Sequence, residues 1–163
     1  VGPRQSLYNS YSGVNRIFCL RLLHDLPPVI YEDGLQRRDY VHIDDVVAAN
    51  LLAFDDPRTD GEQFNVGSGR ATTVCEFAAE LTKMMGKTIA PSIPGEFRVG
   101  DNRHSVSSIE KLKALGWVPK KTISDIFADY LAWIQGFGDV GDYFREADKL
   151  MREAGAVRAV KSS

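Results

Sequence analysis

The chain has 163 residues, 44% of them hydrophobic and 26% charged, and a formal net charge of -2. That length supports one ordinary core, and the composition is that of a globular protein. The charge offers no basic surface for nucleic acid or an anionic membrane, and no apolar run is long enough to cross a bilayer.

The opening residues, VGPRQ, are polar and turn-forming, with neither an initiator Met nor a leader pattern, so the chain reads as starting inside something longer. Residues 1–12 are rich in Gly, Pro, Ser and Asn and read as loop. Val14, Ile17, Phe18, Leu22 and Leu23 recur at helical spacing and predict a helix, which Pro27 and Pro28 end. Val29, Ile30 and Tyr31 predict a short strand before an EDG turn. Residues 39–43 predict a second, with His42 inside it. Asp44 or Asp45 then caps a helix whose face holds Val46, Val47, Ala49, Leu51 and Phe54.

QFNVGSG reads as a strand entering a glycine turn. Thr73 and Glu76 have capping-box spacing, ahead of a helix carrying Val74, Phe77, Leu81 and Met84 that stops at Gly86. Residues 89–93 are expected to be extended and PGEFRVGDNRHS irregular. Ser107 and Glu110 have the spacing of a second capping box, for a short helix ending at Gly116. Ile123, Ile126, Phe127, Tyr130, Leu131 and Ile134 give the clearest amphipathic helix. Tyr143, Phe144, Ala147, Leu150 and Met151 predict one more, and residues from 156 onward a frayed end. The pattern is α/β with few, short, scattered strands. It fits a small α+β domain or a contribution to a sheet completed elsewhere.

No GxGxxG lies between a strand and a helix, and there is no P-loop. NVGSG carries two glycines after one strand and reads first as an ordinary turn. His24, His42 and His104 lie far apart without metal-ligand spacing, which assigns them structural or surface roles. Cys19 and Cys75 fall in apolar periodic segments, as reduced core thiols of a cytoplasmic protein do. What remains is Arg38 at the start of a strand, and Arg98 three residues before Asp101. Guanidinium forks suit phosphate oxygens, and a carboxylate can accept from a ribose hydroxyl. Spacing alone leaves these residues open to a plain surface role.

The segments VGPRQ, YSGV, PPVIYEDGLQRRDYVHIDDVVAA, FNVGSG, FRVGD and LGWVPK occur in this order. The set resembles the C-terminal half of the extended short-chain dehydrogenase/reductase family. It is most similar to the NAD-dependent nucleotide-sugar epimerases and dehydratases of the UDP-glucose 4-epimerase type. The resemblance spans about residues 1–135, and Val1 departs from it, standing where the family pattern has Tyr.

The resemblance implies the substrate-binding C-terminal region of a Rossmann-type fold over 1–136, without the N-terminal NAD-binding half. A C-terminal helix and frayed tail over 137–163 have no family counterpart. It implies NAD in the intact enzyme, a 4-keto sugar intermediate, and a UDP- or TDP-linked sugar as substrate. No Tyr here is followed by Lys four residues later, so no catalytic residue is expected in this chain. Arg38 and Arg98 match two diphosphate-binding arginines of the family, and Asp101 matches an aspartate that bonds a ribose hydroxyl. Val14, Val29, Ile30, Tyr31 and Val74 fall where the family lines its base pocket, partly through main chain. Arg37 falls at a variable position and Asp45 at a structural junction.

The expected partners are an N-terminal Rossmann half, if it is separately encoded, and further copies of the chain. The helix after Asp45 and the QFNVGSG strand pack onto that half in the family, so both are expected to be uncovered here. A 4,6-dehydratase or reductase of the same superfamily, or a non-catalytic binding module, are the alternatives.

Overall fold

The structure is a computed structural model and describes residues 1–7, 13–137, 149 and 152–159. Its helices are α1 (Val14–Leu23), α2 (Ile43–Asp55), α3 (Val74–Met84), α4 (Glu110–Ala114) and α5 (Ile123–Gln135). Its strands are two or three residues long: β1 (Arg37–Arg38), β2 (Thr72–Thr73), β3 (Glu96–Arg98), β4 (His104–Ser105) and β5 (Val157–Ala159). None of the described helices is long and apolar enough to cross a membrane.

The core forms where α3 packs between α1 and α5. Val74, Phe77, Ala78 and Leu81 recur every three or four residues and are buried along one stripe of α3. Ile126, Phe127, Tyr130 and Ile134 do the same on α5. The Phe77 ring stacks on Tyr40 at 3.9 Å and meets Phe127 edge-on at 4.7 Å. α1 is buried on more than one face, through Asn15, Arg16, Phe18, Cys19, Leu20 and Leu22, whereas Leu23 is exposed. Cys19 is fully buried and Cys75 half-buried, and both are free thiols.

One predicted helix start, at α3, matches its sequence signature, and two, at α2 and α4, do not. At α3 the Thr73 hydroxyl accepts from Glu76 N at 3.1 Å, and Glu76 accepts from Thr73 N at 2.8 Å. Thr122 and Asp125 form an equivalent box on α5 that the residue pattern did not single out. α2 is capped by neither Asp44 nor Asp45. His42 is its N-cap, and its Nδ1 accepts from Asp44 N at 3.1 Å. The predicted strand over 39–43 is therefore an extended lead-in to a helix that already begins at Ile43. At α4 the N-cap is Ile109 without a side-chain bond, so Ser107 and Glu110 form no box. Ser107 N instead donates to Asp39 at 3.2 Å.

The main sheet has the order β2-β1-β4, antiparallel between β1 and β2 and parallel between β1 and β4. The Val29–Tyr31 strand reduces to one parallel bridge, Val29 to Ser92. Residues 63–66 are not a strand. Phe64 and Val66 pack against a second cluster built on Ala49, Ile109, Leu112 and Trp117. Residues 157–159 are not frayed but pair antiparallel with β3. The helix predicted over 143–151 lies largely outside the described residues.

Candidate functional site

β1, the segment after α1, and the turn after β3 border a cleft of about 320 Å³. All eight residues singled out in the sequence line it. Arg38, Arg98 and Asp101 supply its charge, and Val14, Val29, Ile30, Tyr31 and Val74 supply apolar wall.

Local backbone chemistry explains the convergence. β1 is paired on both edges, which fixes the base of Arg38. Arg98 and Asp101 are the ends of a β-turn, closed by Asp101 N donating to Arg98 O at 3.2 Å. Its third position is Gly100 at φ 80, a left-handed conformation that costs glycine nothing. The turn brings the two side chains, three residues apart, to one cleft. Arg38 Nη2 pairs with Asp101 Oδ1 at 3.0 Å, and Arg38 Nη1 donates to the Arg37 and Arg103 carbonyls at 3.0 and 3.1 Å. The pair is partly exposed, at 23% and 40%. Such a pair is worth only about 0–1 kcal/mol, so a ligand phosphate can compete for the guanidinium.

On the apolar side the extended backbone alternates. Ile30 N donates to Ser92 O at 2.8 Å and Glu32 N to Glu96 O at 2.7 Å. Val29 and Tyr31 therefore direct their main-chain groups to the opposite edge. There Gln36 Nε2 donates to Tyr31 O at 2.9 Å. The loop that follows is pinned by Arg103, which bonds Asp33 at 2.6 and 2.7 Å and Glu32 at 2.7 Å. That fork holds the Asp33 carboxyl well below the usual carboxylate range.

Several residues of structural weight were missed in the sequence. Asn15, Gln36 and Tyr40 line the same cleft, are buried, and each keep one polar atom without a partner among the described residues. Asp39 accepts from Ser68 N at 2.6 Å, Ser68 Oγ at 2.5 Å and Gly69 N at 3.3 Å. Its carboxylate thus occupies the NVGSG turn, and a Cβ on Gly67 would stand 2.2 Å from Asp39 Oδ2. The turn is closed by the chain's own anion, which accounts for its glycine without a phosphate. His42 and Asp44, two residues apart, come together with the distant Asp129. Lys121 Nζ already occupies that group, 3.0 Å from Asp129 and 3.7 Å from Asp44, and supplies the positive charge a metal would bring.

Residues 1–67 match the model of the NAD dependent epimerase/dehydratase family. The fold superposes on the UDP-glucose 4-epimerase of Thermotoga maritima, solved with UDP-glucose, with a TM-score of 0.77 and 37% identity over 85% of this chain. The chain belongs to the NAD-dependent epimerase/dehydratase family. The dTDP-L-rhamnose 4-epimerase of Burkholderia thailandensis is 36% identical over 135 residues, 82% of the chain. The Thermus thermophilus UDP-glucose 4-epimerase, solved with NAD, is 32% identical with a TM-score of 0.69 over 83% of the chain. These three relatives are nucleotide-sugar 4-epimerases. The chain spans less than half of each: 37% of the Burkholderia protein and 44% of both solved chains.

Among the described residues there is no strand–glycine turn–helix unit of the kind that holds a dinucleotide. The one G-x-G-x-x-G spelling, residues 136–141, follows helix α5 and not a strand.

Proposed function

We propose that this chain supplies the nucleotide-sugar grip of an NAD-dependent nucleotide-sugar epimerase. The observation that carries the reading is the convergence of Arg38, Arg98 and Asp101 with Val14, Val29, Ile30, Tyr31 and Val74 on one cleft. Arg38 and Arg98 hold the diphosphate, Asp101 accepts from a ribose hydroxyl, and the apolar wall takes the base. Each charge-assisted bond contributes about 1.5–3 kcal/mol. That energy fixes one end of the substrate so that the sugar can be presented to chemistry supplied by the rest of a longer protein. A UDP- or TDP-linked sugar fits this division of labour.

The test is a titration with UDP and uridine at two salt concentrations. UDP is expected to bind at least tenfold more tightly than uridine, by an advantage that shrinks with salt. Equal affinities would remove the diphosphate from the reading.

A binding or assembly module of the same fold is the second reading, favoured by the absence of Tyr-x-x-x-Lys from the 163 residues. A Tyr-x-x-x-Lys and a glycine fingerprint in frame upstream of Val1 would decide for the enzyme. A frame without them would decide for the module.

A further inference from the structure

We infer that Arg152 is a positioning residue for the diphosphate clamp: through Glu96 it straps the C-terminal strand β5 onto β3 and thereby fixes Arg98. The inference rests on the nucleotide reading of the cleft.

β3 is three residues long, too short to hold its place unless both edges are tied. One edge is tied by Glu32 N donating to Glu96 O at 2.7 Å, which joins β3 to the base-lining segment. The other edge is covered by β5, in the register Glu96 to Ala159, Phe97 to Arg158 and Arg98 to Val157. Val99 N extends the ladder to Ala156 O at 2.9 Å. Arg152 and β5 belong to one turn. Gly155 N donates to Arg152 O at 3.0 Å, with Gly155 at φ 67, and the chain then runs straight into the ladder.

The fork at Glu96 is bidentate, Nη1 to Oε1 and Nη2 to Oε2, both at 2.8 Å. Two parallel bonds fix an orientation as well as a distance. Glu96 and Arg98 are two residues apart on a strand, so their side chains leave the same face, and Phe97 leaves the other. Holding Glu96 therefore holds the face from which Arg98 projects. The fork is also felt at the carboxyl, since Arg152 lowers the Glu96 pKa. A C-terminal segment with no counterpart in the family resemblance thus gains a task, restraining one of the two phosphate arginines.

The experiment titrates UDP and uridine into wild type, Arg152→Ala, Arg98→Ala and the double variant, with amide exchange measured at residues 96–99. Arg152→Ala is expected to weaken UDP roughly 3- to 10-fold, leave uridine unchanged, and add nothing in the Arg98→Ala background. Exchange at 96–99 should rise, and the reversed pair Arg152→Glu with Glu96→Arg should recover most of the UDP affinity. Wild-type UDP binding by Arg152→Ala would overturn the strap alone. Equal losses of UDP and uridine, or a loss additive with Arg98→Ala, would also overturn it, because the effect would not pass through Arg98. A wild-type chain that binds no UDP would overturn the nucleotide reading and the strap together.

Discussion

Asp45 is 4% exposed, and each of its oxygens accepts a backbone N–H, from Lys120 at 2.9 Å and Lys121 at 3.0 Å. It joins the start of α2 to the lead-in of α5. Asp45→Ala leaves two donors unpaired and is expected to cost about 2–4 kcal/mol in chemical denaturation. Asp45→Asn is expected to recover only part of that, since its NH₂ would face an N–H. A loss below about 0.5 kcal/mol in the alanine variant would contradict this assignment. Roles of this kind are poorly legible in a sequence. Asp45 and Lys120 are far apart in the chain, as are Asp39 and Ser68, and no spacing rule joins them. Arg98 and Asp101 were named through the family resemblance, and the glycine turn that brings them to one cleft was not read from the sequence.

Elements were legible where the information is local. α3 and α5 carry their apolar residues on one stripe and end in caps or glycine. The Thr73–Glu76 box depends on four consecutive residues only. The bond from the Thr73 backbone, and then that from its hydroxyl, holds the Glu76 carboxyl below its usual range. A carboxyl depressed in the folded state contributes stability that is complete above its unfolded value of about 4.3 and is lost as pH falls through the lower folded value. NMR titration should therefore place Glu76 below 4.3 in wild type. In Thr73→Ala it should rise only part-way, because the backbone donor remains. An unshifted wild-type Glu76 would contradict the cap. The short strands were less legible, since a pair of residues becomes a strand only through a distant partner. β5 is the clearest case: its pairing with β3 spans about sixty residues, and tail composition alone suggested fraying.

For the molecule as a whole, the exposed side of α2 carries an apolar stripe. Ile43, Val47, Leu51 and Phe54 lie on one face and are 39%, 49%, 58% and 88% exposed. Such a stripe is expected to drive self-association of this chain. Light scattering should show a concentration-dependent mass that Phe54→Ser with Leu51→Ser reduces. A monodisperse wild-type monomer would count against this. The central claim, an arginine clamp for a nucleotide diphosphate, is tested most directly by NMR-detected titration of UDP into wild type, Arg38→Ala and Arg98→Ala. Each substitution is predicted to lower UDP affinity roughly 10- to 100-fold with the fold intact. An Arg98→Ala chain that binds UDP as tightly as wild type would contradict the account.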